Sequence, residues 1–211
     1  MARVKTLAID CATEACSVAL FDGNAMIAGF CEPMRRGHAE RLVPMIADLP
    51  ERGRADRVLV SLGPGSFTGV RIGLAAARAL GLAWGAEVLG YPTLALVAAM
   101  AQGDRPGEAV TVVMEGGHGQ WFMQNFDATG IATDQVQSLL PEDADRAAQH
   151  RLVAGNRAPA LAALPGGAAR EALPVSPDAR QALMLAPVHW RSDLAPLYGR
   201  GPDARLPAAK P

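Results

Sequence analysis

One order of elements, three strands followed by alternating helix and strand, is readable twice along this 211-residue chain, and such a repeat leaves few ways to fold. The first pass has strands at Lys5–Asp10, Cys16–Phe21 and Ala25–Phe30, with Asp22-Gly23-Asn24 as a hairpin turn. A helix is expected from His38 to Leu49, because Leu42, Met45, Ile46 and Leu49 fall on one apolar stripe. Pro44 withholds a hydrogen bond from the Glu40 carbonyl and predicts a kink there. Strand Val58–Ser61, a helix from Val70 to Trp84, strand Val88–Gly90 and helix Thr93–Ala101 complete this half. The second pass has strands at Val110–Met114, Trp121–Phe126 and Ile131–Gln137, helix Glu142–His150, strand Leu152–Gly155 and helix Asp178–Leu185. Pro165-Gly166-Gly167 and Pro174 mark irregular loops between the last two.

The expected class is therefore α/β, with two tandem ribonuclease-H/actin-like (ASKHA) domains in which βββαβα is repeated and the second copy is shorter and degenerate. Residues 1–103 form the first domain and residues 104–200 the second. Residues 201–211 lack apolar periodicity and are expected to be a mobile tail.

Half of the residues are apolar and 19% are charged, a globular composition. A net charge of -1 gives no overall drive toward nucleic acid or acidic membranes. Cys11, Cys16 and Cys31 are odd in number and lack C-x-x-C spacing, so they read as reduced interior thiols and point to a cytoplasmic address. Arg3, Lys5 and Asp10 interrupt the N-terminal run, which is expected to be neither signal peptide nor membrane span.

Between strand and helix, Ser61-Leu62-Gly63-Pro64-Gly65-Ser66-Phe67-Thr68-Gly69 lacks the lysine of a Walker loop and reads first as a tight turn, with Ser66 or Thr68 as the helix cap. Gly73, Ala77 and Gly81 then line one face with almost no bulk. Glycine inside a helix costs roughly 1 kcal/mol against alanine, so that face is expected to meet another backbone.

Asp10 closes the first strand, where this type of fold places a catalytic or metal-binding carboxylate. A two-metal nuclease would need further carboxylates, and only Glu14 and Glu40 are near in sequence. A stand-alone nucleotide-dependent kinase or ATPase is the alternative. It needs phosphate hairpins in both halves, and Glu115-Gly116-Gly117-His118-Gly119 is equally a plain hairpin turn. His38 would begin an H-x-x-x-H metal pair, but its partner position is Leu42, so no metal site is expected. Arg35, Arg36, Arg52, Arg54 and Arg57 read as a solvated charged rim.

Three blocks carry a resemblance: Leu7-Ala8-Ile9-Asp10-Cys11-Ala12-Thr13-Glu14, then His38-Ala39-Glu40-Arg41-Leu42-Val43-Pro44-Met45-Ile46, then Gly63-Pro64-Gly65-Ser66-Phe67-Thr68-Gly69-Val70-Arg71-Ile72-Gly73-Leu74. In that order they resemble the TsaB (YeaZ) family. Cys11 stands where a hydroxyl residue is common, and Glu115-Gly116-Gly117 where an Asp-Ala-Arg-like run is expected. The resemblance implies a cytoplasmic bacterial protein, not an enzyme by itself, that the TsaD transferase needs for making N6-threonylcarbamoyladenosine beside the anticodon of tRNAs reading codons that begin with A. A TsaE-like ATPase is the third component. The expected partner interface, toward TsaD or a second copy in a homodimer, is His38, Arg41, Leu42, Met45, Ile46 and Leu49 on one helix and Val70, Gly73, Leu74, Ala77 and Gly81 on the other. Asp10, Thr13 and Glu14 become a vestigial nucleotide site, with ATP or ADP bound only when the partner is present and tRNA contact indirect.

Overall fold

The structure, a computed structural model, describes residues 3–199. The tail expected at 201–211 lies outside the described residues. Strands β1 (Lys5–Asp10), β2 (Ala15–Asp22), β3 (Ala25–Pro33), β4 (Arg57–Ser61) and β5 (Glu87–Tyr91) form one sheet in the order β3-β2-β1-β4-β5. The meander β1–β3 is antiparallel, while β4 and β5 run parallel to β1 because helices α1 (His38–Ala47) and α2 (Phe67–Trp84) make the crossovers. Helix α3 (Thr93–Asp104) leads into the second half. There β6 (Val110–Gly117), β7 (Gln120–Phe126), β8 (Gln137–Leu139), β9 (Leu152–Ala154) and β10 (Glu171–Leu173) repeat the pattern as β8-β7-β6-β9-β10, with α4 (Pro141–Ala147) and α5 (Ala158–Ala162) as crossovers. The tandem actin-like architecture expected from the element order is the one observed.

The second copy is shortened but complete. It contains α5 and β10, five and three residues long, in the stretch that reads as irregular loop. Elements that short carry no measurable periodicity. The strand expected at Ile131–Gln137 is displaced: Gln137–Leu139 forms the ladder with β7, and upstream of it a single bridge, Phe126↔Ala132, joins the expected stretch to β7. Between the two, the Asp134 carboxylate accepts from the Asn125 backbone N–H at 2.9 Å and from Asn125 Nδ2 at 2.7 Å, so side-chain bonds interrupt the backbone pairing that Thr133 N–H begins with the Asn125 carbonyl. The last helix is a 3₁₀ turn, Ala179–Met184, capped by Asp178. Leu49 lies just beyond the end of α1.

Strand alternation sorts the core into layers. Leu7, Ile9, Val58 and Val60 face α1 and α2, whereas Ala8, Ala19 and Leu59 face inward, between the two sheets. That middle layer holds α3 and the Ala179–Met184 turn. Leu94, Ala95, Leu96, Val97 and Ala98 of α3 are all buried, and a helix apolar on every side requires cover on every side. Val113, Met123 and Val153 pack under α4 and α5 on the far side of the second sheet.

The small-residue face of α2 lies against its own sheet. Cβ atoms at Gly65 and Gly69 would stand 2.1 Å and 2.0 Å from the carbonyl oxygens of Ala12 and Cys11, so the end of β1 lies directly on the start of the helix. Gly73 backs onto Val60, Cys11 and Ile9, Ala77 is fully buried, and Gly81 faces Val88. Leu42, Met45, Ile46, Leu49, Val70 and Leu74 are each exposed by 5% or less. These positions, expected at a partner interface, are therefore interior to the chain. A helix must first cover its own sheet, and the most apolar stripe goes to that task. His38 is 7% exposed, and the Arg41 guanidinium is held by the Glu32 carboxylate of β3, with Nε 2.7 Å from Oε2.

Candidate functional site

A cleft of about 1230 Å³ opens between the two halves, where loops from both sheets converge. On the first side stand the β1–β2 turn with Thr13 and Glu14, the loop carrying Arg35 and Arg36, and the start of α2. The β6–β7 hairpin faces them with Glu115 and His118. Ser66 fixes the start of α2, its hydroxyl accepting the Gly69 N–H at 3.2 Å. In the hairpin Gly117, His118 and Gly119 have φ of 76°, 53° and 75°, and Glu115 binds the Gly117 N–H and pairs with Arg157. This turn is the glycine run that suggested a phosphate hairpin.

Of the expected vestigial nucleotide residues, Thr13 and Glu14 reach the cleft and Asp10 does not. Asp10 is 1% exposed and faces the middle layer. Its Oδ1 accepts from the Ala12 N–H at 2.9 Å and its Oδ2 from the Tyr91 hydroxyl at 3.0 Å. Beneath it, Ser61 Oγ and Thr93 Oγ1 are 2.7 Å apart, joining the ends of β4 and α3. The strand-end position was legible, but the direction of the carboxylate depends on Tyr91, 81 residues away. His38 donates from Nε2 to the Thr13 carbonyl oxygen at 3.0 Å, so it braces the turn. Thr13 Oγ1 is buried without a hydrogen-bond partner among the described residues. Among those residues no three His, Cys, Asp or Glu side chains gather into a metal-binding group. No described helix is long and apolar enough to cross a membrane.

Burial pushes the Asp10 pKa from 3.8 up to about 6, against the opposing pull of its hydrogen-bond donors. A folded-state pKa above the unfolded one means that the folded chain binds the proton more tightly. The stability contributed by Asp10 is thus fully present below the unfolded value and falls as pH rises to the folded one, by about 3 kcal/mol. Asp10→Asn keeps the shape without the charge, its Oδ1 still accepting from the Ala12 N–H while Nδ2 donates to the Tyr91 hydroxyl oxygen in place of accepting from it. We expect it to match or exceed the wild-type stability near about pH 7, with an advantage that disappears on acidification. Denaturant unfolding of both proteins across this window checks the point, and a difference independent of pH would refute it.

A segment that carries no sequence signal closes one wall. Residues 191–199 run back over the first half, where the Leu197 N–H donates to the Leu62 carbonyl and Arg78 Nη2 to the Leu194 carbonyl at 3.1 Å. At its end Tyr198 accepts from Arg71 Nη2 at 3.0 Å, with the Phe67 ring 5.9 Å away. Sequence separations above one hundred residues put these contacts beyond any local pattern.

Comparison with known proteins gives one consistent neighbourhood. The family described as TsaD, tRNA N6-adenosine threonylcarbamoyltransferase, matches residues 32–181. The tRNA threonylcarbamoyladenosine biosynthesis protein TsaB of Escherichia coli is 39% identical over 137 residues, covering 61% of this chain and 58% of that relative. An uncharacterized protein of Mycobacterium tuberculosis is 32% identical over 97% of both chains. Among solved structures, YeaZ from Pseudomonas aeruginosa superposes with a TM-score of 0.76 at 27% identity, over 94% of this chain and all of the other. Likeness of that extent places the chain in the TsaB/YeaZ family.

Proposed function

We propose that the chain is the non-catalytic partner of a TsaD-like transferase in forming N6-threonylcarbamoyladenosine in tRNA, acting in the cytoplasm beside a TsaE-like ATPase. In this reading α1 and α2 dock on a matching helix pair of the transferase, or on a second copy when the chain is alone. The observation that carries it is the outer face of the helix pair. Leu82 is 89% and Val43 63% exposed, among exposed Ala39, Ala47, Ala75 and Ala79. Alanines let a second helix approach closely, and Val43 and Leu82 supply apolar area to bury. The interface so drawn uses the opposite side of the helices from the stripe Leu42–Leu49 and the face Gly73–Gly81. The pathway is suggested by the name of the Escherichia coli relative and by the family description.

A nucleotide-dependent activity of the chain alone is the second reading, favoured by the Thr13 hydroxyl, buried beside the cleft with no hydrogen-bond partner among the described residues. Reconstitution separates the two. Modified tRNA is expected only when this chain and a TsaD-like subunit are mixed, with ATP bound measurably in calorimetry only in the mixture. Tight ATP binding and turnover by the isolated chain would overturn the scaffold reading.

A further inference from the structure

We propose that Cys11 and Cys16 form a reversible dithiol–disulfide site, oxidised by a small peroxide and restored by a thiol reductant. The β1–β2 ladder ends at the pair Asp10↔Ser17, and Cys11 and Cys16 continue it as the next facing pair. Both side chains lie in the layer beneath α2, with their sulfurs 3.6 Å apart. A disulfide needs about 2.05 Å, so closing the remaining gap takes side-chain rotation together with a small shift of the backbone at the end of the ladder. Both thiols are buried, at 1% and 0% exposure, but only the turn Ala12–Ala15 lies between them, and Ala12, Thr13 and Glu14 of that turn line the cleft. A small oxidant in the cleft is one turn away from the pair.

The surroundings give the two sulfurs different roles. A hydrogen bond from Cys11 holds the Cys16 thiol below its ordinary pKa, helped by the Arg41 guanidinium, and the same bond together with burial pushes Cys11 up. Cys16 as thiolate attacks one peroxide oxygen, the O–O bond breaks, and the departing hydroxide takes a proton to leave as water. The Cys11 sulfur then attacks the sulfenic sulfur of Cys16, the S–O bond breaks, and a second water carries off the Cys11 proton. Two thiols lose two electrons in all and the peroxide gains them. Cys31 pairs with Ser17, whose neighbour Cys16 points to the opposite face of the sheet, so Cys31 cannot join the bond.

Closing the pair moves the carbonyls of Cys11 and Ala12, which abut Gly69 and Gly65. Oxidation is therefore expected to register at the start of α2. The test treats the full folded chain with hydrogen peroxide, alkylates it in denaturant and maps the cysteines by fragmentation mass spectrometry. Cys11 and Cys16 should resist alkylation together, lighter by two hydrogens, and become alkylatable after dithiothreitol, while Cys31 stays outside the bond. Amide hydrogen exchange over residues 65–72 should change with oxidation and recover on reduction. In Cys11→Ser, Cys16 should stop at sulfenic acid, trapped by dimedone. Oxidation of Cys31 with Cys11 and Cys16 still free, or a disulfide that includes Cys31, would overturn the proposal. The wild-type chain alone decides it, whether or not the serine variant folds.

Discussion

Ala77→Glu is expected to abolish folding. Ala77 has no exposed surface and lies in the layer that α2 forms with Val58, Val60 and Ile9, one turn from Gly73 and one from Gly81. The tight backing at Gly81, where a Cβ would stand 2.3 Å from Val88 Cγ2, shows how closely the helix lies on the sheet and leaves no space between them for a longer side chain. A glutamate there puts bulk and an unpaired carboxylate into apolar packing, at a cost of several kcal/mol even if the group takes up a proton. Whole domains are stable by about 5–15 kcal/mol, so this single change removes much or all of the margin. Circular dichroism should show no cooperative melt, and soluble yield should collapse. A variant that melts like wild type would mean that this face of α2 is turned outward, contrary to the packing described.

What the sequence could and could not show follows from where each constraint acts. The element order was legible because β1, β4 and α3 are apolar enough to announce themselves, and because Ser66 and Gly85 bracket α2 with a side-chain cap and a left-handed residue of φ 67°. Sidedness was not. Helix α2 is apolar on both faces, with Gly73, Leu74 and Ala77 inward and Ala75, Ala79 and Leu82 outward, so periodicity offers no reason to assign one face to the sheet and the other to a partner. The smallest residues went inside because the backbone of the β1 turn comes to within contact of the helix axis, a fact of tertiary geometry. In the candidate site, Thr13 and Glu14 fall where strand position put them, whereas Asp10 is turned away by donors from Ala12 and Tyr91. The wall formed by 191–199 had no local signal at all, since its bonds reach back to Leu62, Arg71 and Arg78.

Leu82→Glu should do the opposite of Ala77→Glu, leaving the fold intact and removing association. At 89% exposure Leu82 contributes almost nothing to the core, and although a glutamate in the last turn of α2 opposes the helix dipole, that costs only about 0.3–1 kcal/mol, a small part of the folding margin. Covered by a partner helix, a leucine side chain is worth roughly 2 kcal/mol. A glutamate in its place forfeits that and adds an unpaired charge to a dry seam, so a combined loss of about 4 kcal/mol lowers association roughly a thousandfold. In a two-fold homodimer the substitution occurs on both sides of the contact, and the effect is larger still. Val43→Glu, on the adjoining helix α1 at 63% exposure, should behave alike because α1 and α2 pack side by side and both belong to the proposed docking surface. Size-exclusion with light scattering reads the oligomeric state, co-elution reads binding to a TsaD-like subunit, and an unchanged melting curve shows that folding was spared. Both variants are expected to run as folded monomers and to fail in reconstituted tRNA modification. Retained binding and activity in both would remove the outer face of α1 and α2 from consideration as the docking surface, and with it the mechanism proposed for this chain.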